Sequence, residues 1–156
     1  MKTLAVILLF LSIFLDGTIP MFANTYFLTN LTFITLILIY PLFLKNKSLY
    51  LFLLLISTVI YDLLYTNILF FNTVLWFCIF LILEKNYKKM NFLLVFEYLL
   101  LYQLLLFSLF YTTSYTKDLF FGIKLITSTL IMNVLYTSIL LILFKDKYKI
   151  KKVNYN

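Results

Sequence analysis

The strongest constraint on the fold is a long apolar stretch between Lys47 and Glu84, in which Asp62 is the only charged residue. The stretch holds about 36 residues, which would extend about 54 Å as one helix at ~1.5 Å per residue. The hydrocarbon core of a bilayer is about 30 Å thick, and about 20 residues cross it. The stretch is therefore predicted to fold back on itself as two membrane-crossing helices. Polar residues cluster where the turn is expected: Asp62, Thr66, Asn67 and Asn72.

The composition is typical of an integral membrane protein. Hydrophobic residues make up 64% of the chain and charged residues 12%, whereas soluble domains contain about 45–50% and about 25%. With 156 residues, the chain is predicted to form one transmembrane domain, residues 1–144, followed by a basic tail, residues 145–156.

The residue types exclude several kinds of chemistry. The sequence contains no His, which excludes His-based acid–base catalysis and His-containing zinc sites. Cys78 is the single cysteine, so no internal disulfide can form. The sequence also lacks a glycine-rich phosphate loop, a nucleophile elbow and a cluster of metal ligands. We expect no cofactor and no enzymatic activity.

Six apolar segments predict an all-α, polytopic membrane protein with six transmembrane helices. The predicted spans are residues 4–15, 27–44, 49–65, 68–83, 91–111 and 119–144. Gly17 and Pro20 predict a loop or re-entrant turn over residues 16–20, because both residue types interrupt helices. Pro41 predicts a kink or the end of the second span. Polar loops are expected over residues 84–89 and 112–118.

The distribution of lysines predicts how these spans are oriented. Eleven lysines fall in one set of loops and chain ends, and only Lys117 falls in the other set. The first set is Lys2, Lys45, Lys47, Lys85, Lys88, Lys89, Lys145, Lys147, Lys149, Lys151 and Lys152. Because Lys-rich loops stay in the cytoplasm, both termini are predicted to be cytoplasmic. These lysines lie in short loops rather than on one folded face, so we expect no nucleic-acid partner.

Asp62 lies on the outer side of the membrane in this arrangement. It follows the start of its span by about 13 residues, or about 20 Å at ~1.5 Å per residue, which places it near the outer interface. Lys124 lies about five residues into the sixth span, in the same outer layer. An ion pair between Asp62 and Lys124 is therefore geometrically possible. Alternatively, Lys124 extends to the outer headgroups.

Two further polar residues lie within predicted spans. Glu97 is near the cytoplasmic side of the fifth span, where lysines of the loop at residues 84–89 can neutralise it; a proton relay is the less favoured alternative. Because Asp62 and Glu97 lie on opposite sides of the membrane, they do not form a catalytic pair. Asn133 lies near the middle of the sixth span, where a buried amide needs a partner on another helix.

Several short motifs are spread along the chain. Asp62-Leu63 is followed by Asn72, ten residues after the Asp, and Asn133 opens the sequence NVLYTS in the last span. The other motifs are Leu15-Asp16 with Pro20, Thr29-Asn30-Leu31, and the Lys-rich tail. Together they resemble the MreD family, small integral membrane proteins of the bacterial rod-shape and cell-elongation machinery. The motif of Asp62-Leu63 followed by Asn72 is similar to the family's Asp-Leu…Gly-x-Asn-Ala hairpin.

The chain departs from the family pattern at four positions. Thr66 and Phe70 stand where the family has the glycines of the hairpin. Ser138 stands where a Pro usually follows the last-span Asn, and Thr29 stands where Pro is common.

The resemblance implies a non-enzymatic scaffold in the bacterial cell membrane. Its expected partners are an MreC-like protein, membrane lipid and, directly or through the MreC-like protein, a penicillin-binding protein, RodA and the MreB machinery. The candidate structural or interaction residues are Asp16, Pro20, Asn30, Asp62, Asn72, Glu97, Lys124 and Asn133.

The family fold is similar to that of the substrate-binding components of ECF-type vitamin transporters, which gives an alternative function. Such a component needs a pocket with convergent polar groups, expected here in the outer half near Asp16, Asp62, Asn67, Asn72 and Lys124. However, the sequence has a single Trp, Trp76, and no Arg, whereas a vitamin pocket is usually rich in Trp, Asn and Arg. The scaffold function is therefore favoured, and an intramembrane enzyme is the least favoured because no catalytic constellation is present.

Overall fold

The computed structural model describes residues 2–22, 29–66, 68–86, 92–112, 130 and 132–144. Within these ranges all regular secondary structure is helical, which confirms the predicted all-α class. The predicted start of the sixth span, Lys124 and the basic tail lie outside the described residues.

Six α-helices follow one another along the described chain. They are α1 (Lys2–Phe22), α2 (Leu31–Ile39), α3 (Lys47–Tyr61), α4 (Phe71–Asn86), α5 (Phe92–Thr112) and α6 (Met132–Phe144). A 3-10 turn, Tyr40–Phe43, continues α2, and a π-helical turn, Asp62–Thr66, continues α3. Three segments are long and apolar enough to cross a membrane: Lys2–Met21, Lys47–Thr66 and Phe92–Leu109. They indicate a helical membrane protein.

The long apolar stretch folds back on itself as predicted, with α3 and α4 forming an antiparallel hairpin. At one end of the hairpin, the Lys47 ammonium pairs with the Glu84 carboxylate. At the other end, the π-helical turn and residues 68–70 connect the two helices. The polar loop predicted over residues 84–89 starts later than expected, because residues 84–86 belong to the last turn of α4.

The predicted loop over residues 16–20 is wrong, because α1 continues through it to Phe22. Gly17 does not break the helix; instead, its missing side chain lets the Tyr65 ring approach, and a Cβ at this position would collide with that ring. The Tyr65 hydroxyl donates a hydrogen bond of 2.7 Å to the Ile13 carbonyl. Pro20 lies inside the last turn of α1 and lacks an N–H, so the one hydrogen bond to the carbonyl four residues earlier is missing there.

The second predicted span is shorter than expected. Thr29 and Asn30 are not helical, and the α-helical part is limited to Leu31–Ile39. The change to 3-10 geometry occurs at Tyr40–Phe43, which contains Pro41. This agrees with the predicted kink or end, because Pro41 cannot donate the hydrogen bond that would continue the α-helix.

The centre of the described structure is α2. All nine of its residues are buried, and it contacts α1, α4 and α5. Its Phe33 ring stacks on the Tyr102 ring of α5, with 4.7 Å between the ring centres. The Tyr40 ring of the following turn meets the Tyr50 ring of α3 at 5.0 Å. With its 3-10 turn, α2 is about 20 Å long, so it is shorter than the ~30 Å hydrocarbon core.

We expect a buried isoleucine of α2 to matter far more for stability than an exposed isoleucine of α6. Ile34 is 0% exposed and Ile142 is 73% exposed. Replacing Ile34 with Ala leaves a cavity and should lower the free energy of unfolding by about 2–4 kcal/mol. Ile142→Ala should change it by less than about 0.5 kcal/mol. Unfolding in detergent followed by circular dichroism measures both, and equal effects would contradict the central position of α2.

Candidate functional site

Asp62 is fully buried, and its carboxylate binds the first turn of α4. The Asn72 N–H donates to both carboxylate oxygens at 3.1 Å, and the Asn72 Nδ2 donates to Oδ1 at 2.8 Å. The Thr73 N–H and hydroxyl each lie 3.4 Å from Oδ2, and the Thr66 hydroxyl donates to Oδ1 at 3.2 Å. All these partners are donors, which is the set that an ionised carboxylate accepts.

The first turn of α4 needs this carboxylate because the residue before the helix cannot provide a cap. Phe70 occupies the N-cap position, and its carbonyl accepts the hydrogen bond of the Val74 N–H at 3.1 Å. Its side chain has no acceptor for the free N–H groups of the next residues. Phe70 also has a φ of 65°, a left-handed conformation that is strained for a bulky residue.

Asn72 connects Asp62 to a third helix. While its Nδ2 donates to Asp62, its Oδ1 accepts a hydrogen bond of 2.6 Å from the Tyr102 hydroxyl of α5. The Thr73 hydroxyl also lies 2.9 Å from the Thr58 hydroxyl of α3, and its single proton can be donated either to Thr58 or to Asp62. Side chains of α3, α4 and α5 are therefore joined by one buried hydrogen-bond network.

Asp16 binds the start of α2 in the same way that Asp62 binds the start of α4. Its Oδ1 accepts from the Leu31 N–H at 2.8 Å, and its Oδ2 accepts from the Thr32 N–H at 2.8 Å and the Thr32 hydroxyl at 2.6 Å. Asn30 is the N-cap residue of α2, but its own side chain makes no capping hydrogen bond. The carboxylate of α1 therefore replaces the local cap.

Asn133 of α6 binds the same helix start from another side. Its Oδ1 accepts a hydrogen bond of 3.1 Å from the Asn30 N–H, and its side chain is fully buried. A second contact joins these helices, because the Thr35 and Tyr136 hydroxyls are 2.8 Å apart. The start of α2 is thus held by side chains from both α1 and α6.

The two carboxylates lie at a similar distance from the Lys-rich end of the helices. The Lys2 Nζ is 5.6 Å from the centre of the Phe43 ring, so α1 begins beside the segment that leads into α3. Asp16 follows Lys2 by 14 residues and Asp62 follows Lys47 by 15 residues, which correspond to about 21 Å and about 22 Å. We call the residues at this level, Asp16, Thr32, Asp62, Asn72, Tyr102 and Asn133, the polar layer.

Five of the eight residues singled out in the sequence lie in two hydrogen-bonded groups: Asp16, Asn30 and Asn133 at the start of α2, and Asp62 with Asn72 at the start of α4. Pro20 lies one turn beyond the polar layer in α1. Glu97 is exposed on α5 and lies apart from the layer. Lys124 lies outside the described residues, so its pairing with Asp62 stays a prediction. Asp62 is buried within the helices, and its depth near the outer interface stays a prediction.

Two residues of the polar layer, Thr32 and Tyr102, and the neighbouring Thr73 were not singled out in the sequence. Thr32 and Thr73 each follow a candidate polar residue closely, so a search for helix-start residues would have found them. Tyr102 has no such signal, because it is one of 13 tyrosines and lies inside a continuous apolar helix.

Among the described residues, side chains of the polar layer join neighbouring helices through hydrogen bonds. A cavity beneath it, lined by Phe33, Leu54, Trp76 and neighbouring apolar side chains, has a volume of about 10 Å³, about the space of one water molecule. In the described ranges, no group of three His, Cys, Asp or Glu side chains could hold a metal ion. The arrangement is chemically suited to fixing helix positions.

Comparison with protein-family models, characterised proteins and solved structures gave no match to this chain.

Removing the charge of Asp62 should destabilise the protein strongly. In Asp62→Asn, the new amide nitrogen faces donors of Asn72 and Thr73, so buried N–H groups lose an acceptor. We expect the free energy of unfolding to fall by about 2–4 kcal/mol. Glu97→Gln is the matched control, since the same chemical change at an exposed carboxylate should cost less than about 0.5 kcal/mol. Unfolding in detergent tests both variants, and similar losses would refute the capping role of Asp62.

Glycine at position 70 should stabilise the hairpin. Phe70 is half exposed and left-handed, and glycine adopts this conformation without the cost of about 1–2 kcal/mol that other residues incur. We expect Phe70→Gly to raise the free energy of unfolding by about 0.5–1 kcal/mol. Leu69→Gly, one residue earlier and also half exposed without a positive φ, should lower it by about 0.5–1 kcal/mol. Equal losses in the two variants would contradict the strain at Phe70.

Proposed function

We propose that this chain is a non-enzymatic membrane scaffold of the bacterial cell-elongation machinery, similar to MreD. In this function it binds an MreC-like protein and helps to organise peptidoglycan synthesis in the cell membrane. A penicillin-binding protein, RodA and the MreB filaments are contacted directly or through the MreC-like protein.

The observation that carries the proposal is the geometry of the hairpin between α3 and α4. The family motif pairs an Asp with an Asn ten residues later and has a glycine two residues before that Asn. Here Asp62 and Asn72 are hydrogen-bonded at 2.8 Å, and Phe70, at the glycine position, has a φ of 65°. Glycine adopts a left-handed backbone without strain, which explains why a glycine would be used at this position. The family motif and the geometry of this hairpin therefore agree.

The use of the polar side chains also supports a scaffold. Buried polar groups in a membrane protein mark either a ligand site or contacts between helices. The carboxylates of Asp16 and Asp62 bind backbone N–H groups at helix starts, and Asn72 and Asn133 bind groups of neighbouring helices. The carboxylates and the Asn72 amide are therefore occupied by the protein itself, whereas the buried Asn133 Nδ2 has no hydrogen-bond partner among the described residues.

The proposed topology has six spans in one domain, residues 1–144, with both termini and the basic tail, residues 145–156, in the cytoplasm. The position of the described lysines supports it. Lys2, Lys45, Lys47 and Lys85 lie at the same end of the helices, opposite the turn that follows Asp62. This fold would be similar to that of the substrate-binding components of ECF-type transporters.

The alternative function, vitamin uptake, requires a larger space within the helices. Pockets for small molecules have volumes of about 300–1,000 Å³, whereas the cavity beside Trp76 has about 10 Å³. The polar layer would also have to exchange its internal hydrogen bonds for bonds to a ligand. Both points favour the scaffold.

Purification of the tagged protein from its native membrane in mild detergent tests the proposal. Mass spectrometry of proteins and small molecules should recover an MreC-like protein or a penicillin-binding protein, enriched over an unrelated tagged membrane protein of similar size. Recovery of an ATPase pair with a membrane coupling subunit, or of a bound vitamin, would instead establish uptake. In that case Asp62→Ala and Lys124→Ala should abolish stabilisation by the vitamin.

A further inference from the structure

One side of α5 carries a regular row of side chains that are mostly exposed. Leu93 is 66% exposed and Leu104 is 56% exposed, and Glu97, Ser108 and Tyr111 are also exposed. The opposite side of α5 is buried and meets α2 and α4. Its buried residues are Val95, Tyr98, Leu99, Tyr102 and Gln103.

The spacing along this row suits the packing of another helix. The row comprises Leu93, Glu97, Leu100, Leu104, Phe107 and Tyr111, and we call it the α5 stripe. Leu100 and Phe107 are partly buried, and the others are exposed. Its residues follow one another by four, three, four, three and four positions. Alternation of three and four residues is the pattern by which two helices pack side by side over several turns.

Glu97 gives the α5 stripe a charge inside an apolar span. It lies five residues after the start of α5 at Phe92, about 7.5 Å along the helix, within the segment Phe92–Leu109 that can cross a membrane. Within the described parts of the chain, no ion pair involves Glu97. A carboxylate on a lipid-facing surface is costly, and such groups normally face a partner of opposite charge.

We infer that the α5 stripe binds a transmembrane helix of a second membrane protein, and that a Lys or Arg of that helix pairs with Glu97. The stripe supplies apolar packing on both sides of the charge, and the cation supplies the missing partner. The inference rests on the proposed scaffold function, for which it identifies the surface that contacts a partner.

A second copy of this chain does not suit the same surface. Copies in one membrane have the same orientation, so a two-fold pairing through the α5 stripe would place Glu97 opposite Glu97. Two like charges at this position repel each other, and the repulsion is stronger in a medium of low dielectric constant. The charge therefore favours a different protein with a basic residue.

Site-specific crosslinking in the native membrane tests the inference. A photo-reactive amino acid replaces Leu104 in the tagged full-length protein, and the control carries it at Phe14 of α1, which is 64% exposed. We expect a protein adduct from position 104 at least tenfold stronger than from position 14. The crosslinked peptide should come from a transmembrane helix that contains Lys or Arg.

The role of the Glu97 charge in binding the partner is tested by reversing it. Glu97→Lys should reduce the adduct at position 104 at least tenfold, while unfolding in detergent shows that the variant is folded. Changing the basic residue of the partner helix to Glu should restore the adduct in the Glu97→Lys protein. An adduct that is insensitive to Glu97→Lys, an adduct with a second copy of the chain, or lipid adducts alone would each overturn the inference.

The results of these experiments distinguish a failure of the inference from a failure of the proposed function. Lipid adducts alone at position 104, with an MreC-like protein still recovered through the tag, would overturn the binding role of the α5 stripe and leave the scaffold function standing. A Glu97-dependent adduct with a protein outside the elongation machinery would support the stripe and overturn the proposed function.

Discussion

A helix that begins among buried residues has several backbone N–H groups that water cannot reach. The first turns of α2 and α4 both contain buried residues, and in each case a carboxylate from the preceding helix binds the free N–H groups of the first turn. The negative charge is favoured there by the positive end of the helix dipole. Each carboxylate therefore satisfies the helix start, and the helix start in turn stabilises the buried carboxylate.

This interaction determines much of the remaining arrangement. Asp16 fixes α1 against α2, and Asp62 fixes α3 against α4, so the two helix pairs repeat one solution to the same problem. Asn72 and Asn133 then extend the contacts to α5 and α6. Because these contacts join α1 and α6 to α2, and α3 and α5 to α4, they hold the exposed apolar surfaces of the helices in each group in fixed positions.

Length, charge and apolar content allowed the sequence to predict the all-α class, the hairpin of α3 and α4 and the level of its polar turn. These properties gave a wrong prediction where a side chain binds residues that are distant in the sequence. The loop predicted over residues 16–20 is helical, and the partners of Asp16 and Gly17, which are the start of α2 and the Tyr65 ring, are 15 or more residues away. The left-handed conformation of Phe70 could not be predicted either, since a bulky residue rarely adopts it. Tyr102 had no polar neighbour in sequence to mark it.

The enclosure of α2 also bears on how the protein is made. A helix that enters the membrane alone must be long enough to cross and must tolerate lipid around it. With its 3-10 turn, α2 is about 20 Å long, and its start requires acceptors from α1 and from α6. Since Asn133 is synthesised 103 residues after Asn30, the central helix receives this acceptor only after Asn133 has emerged from the ribosome. Correct assembly of the middle of the protein thus depends on a helix that is synthesised much later.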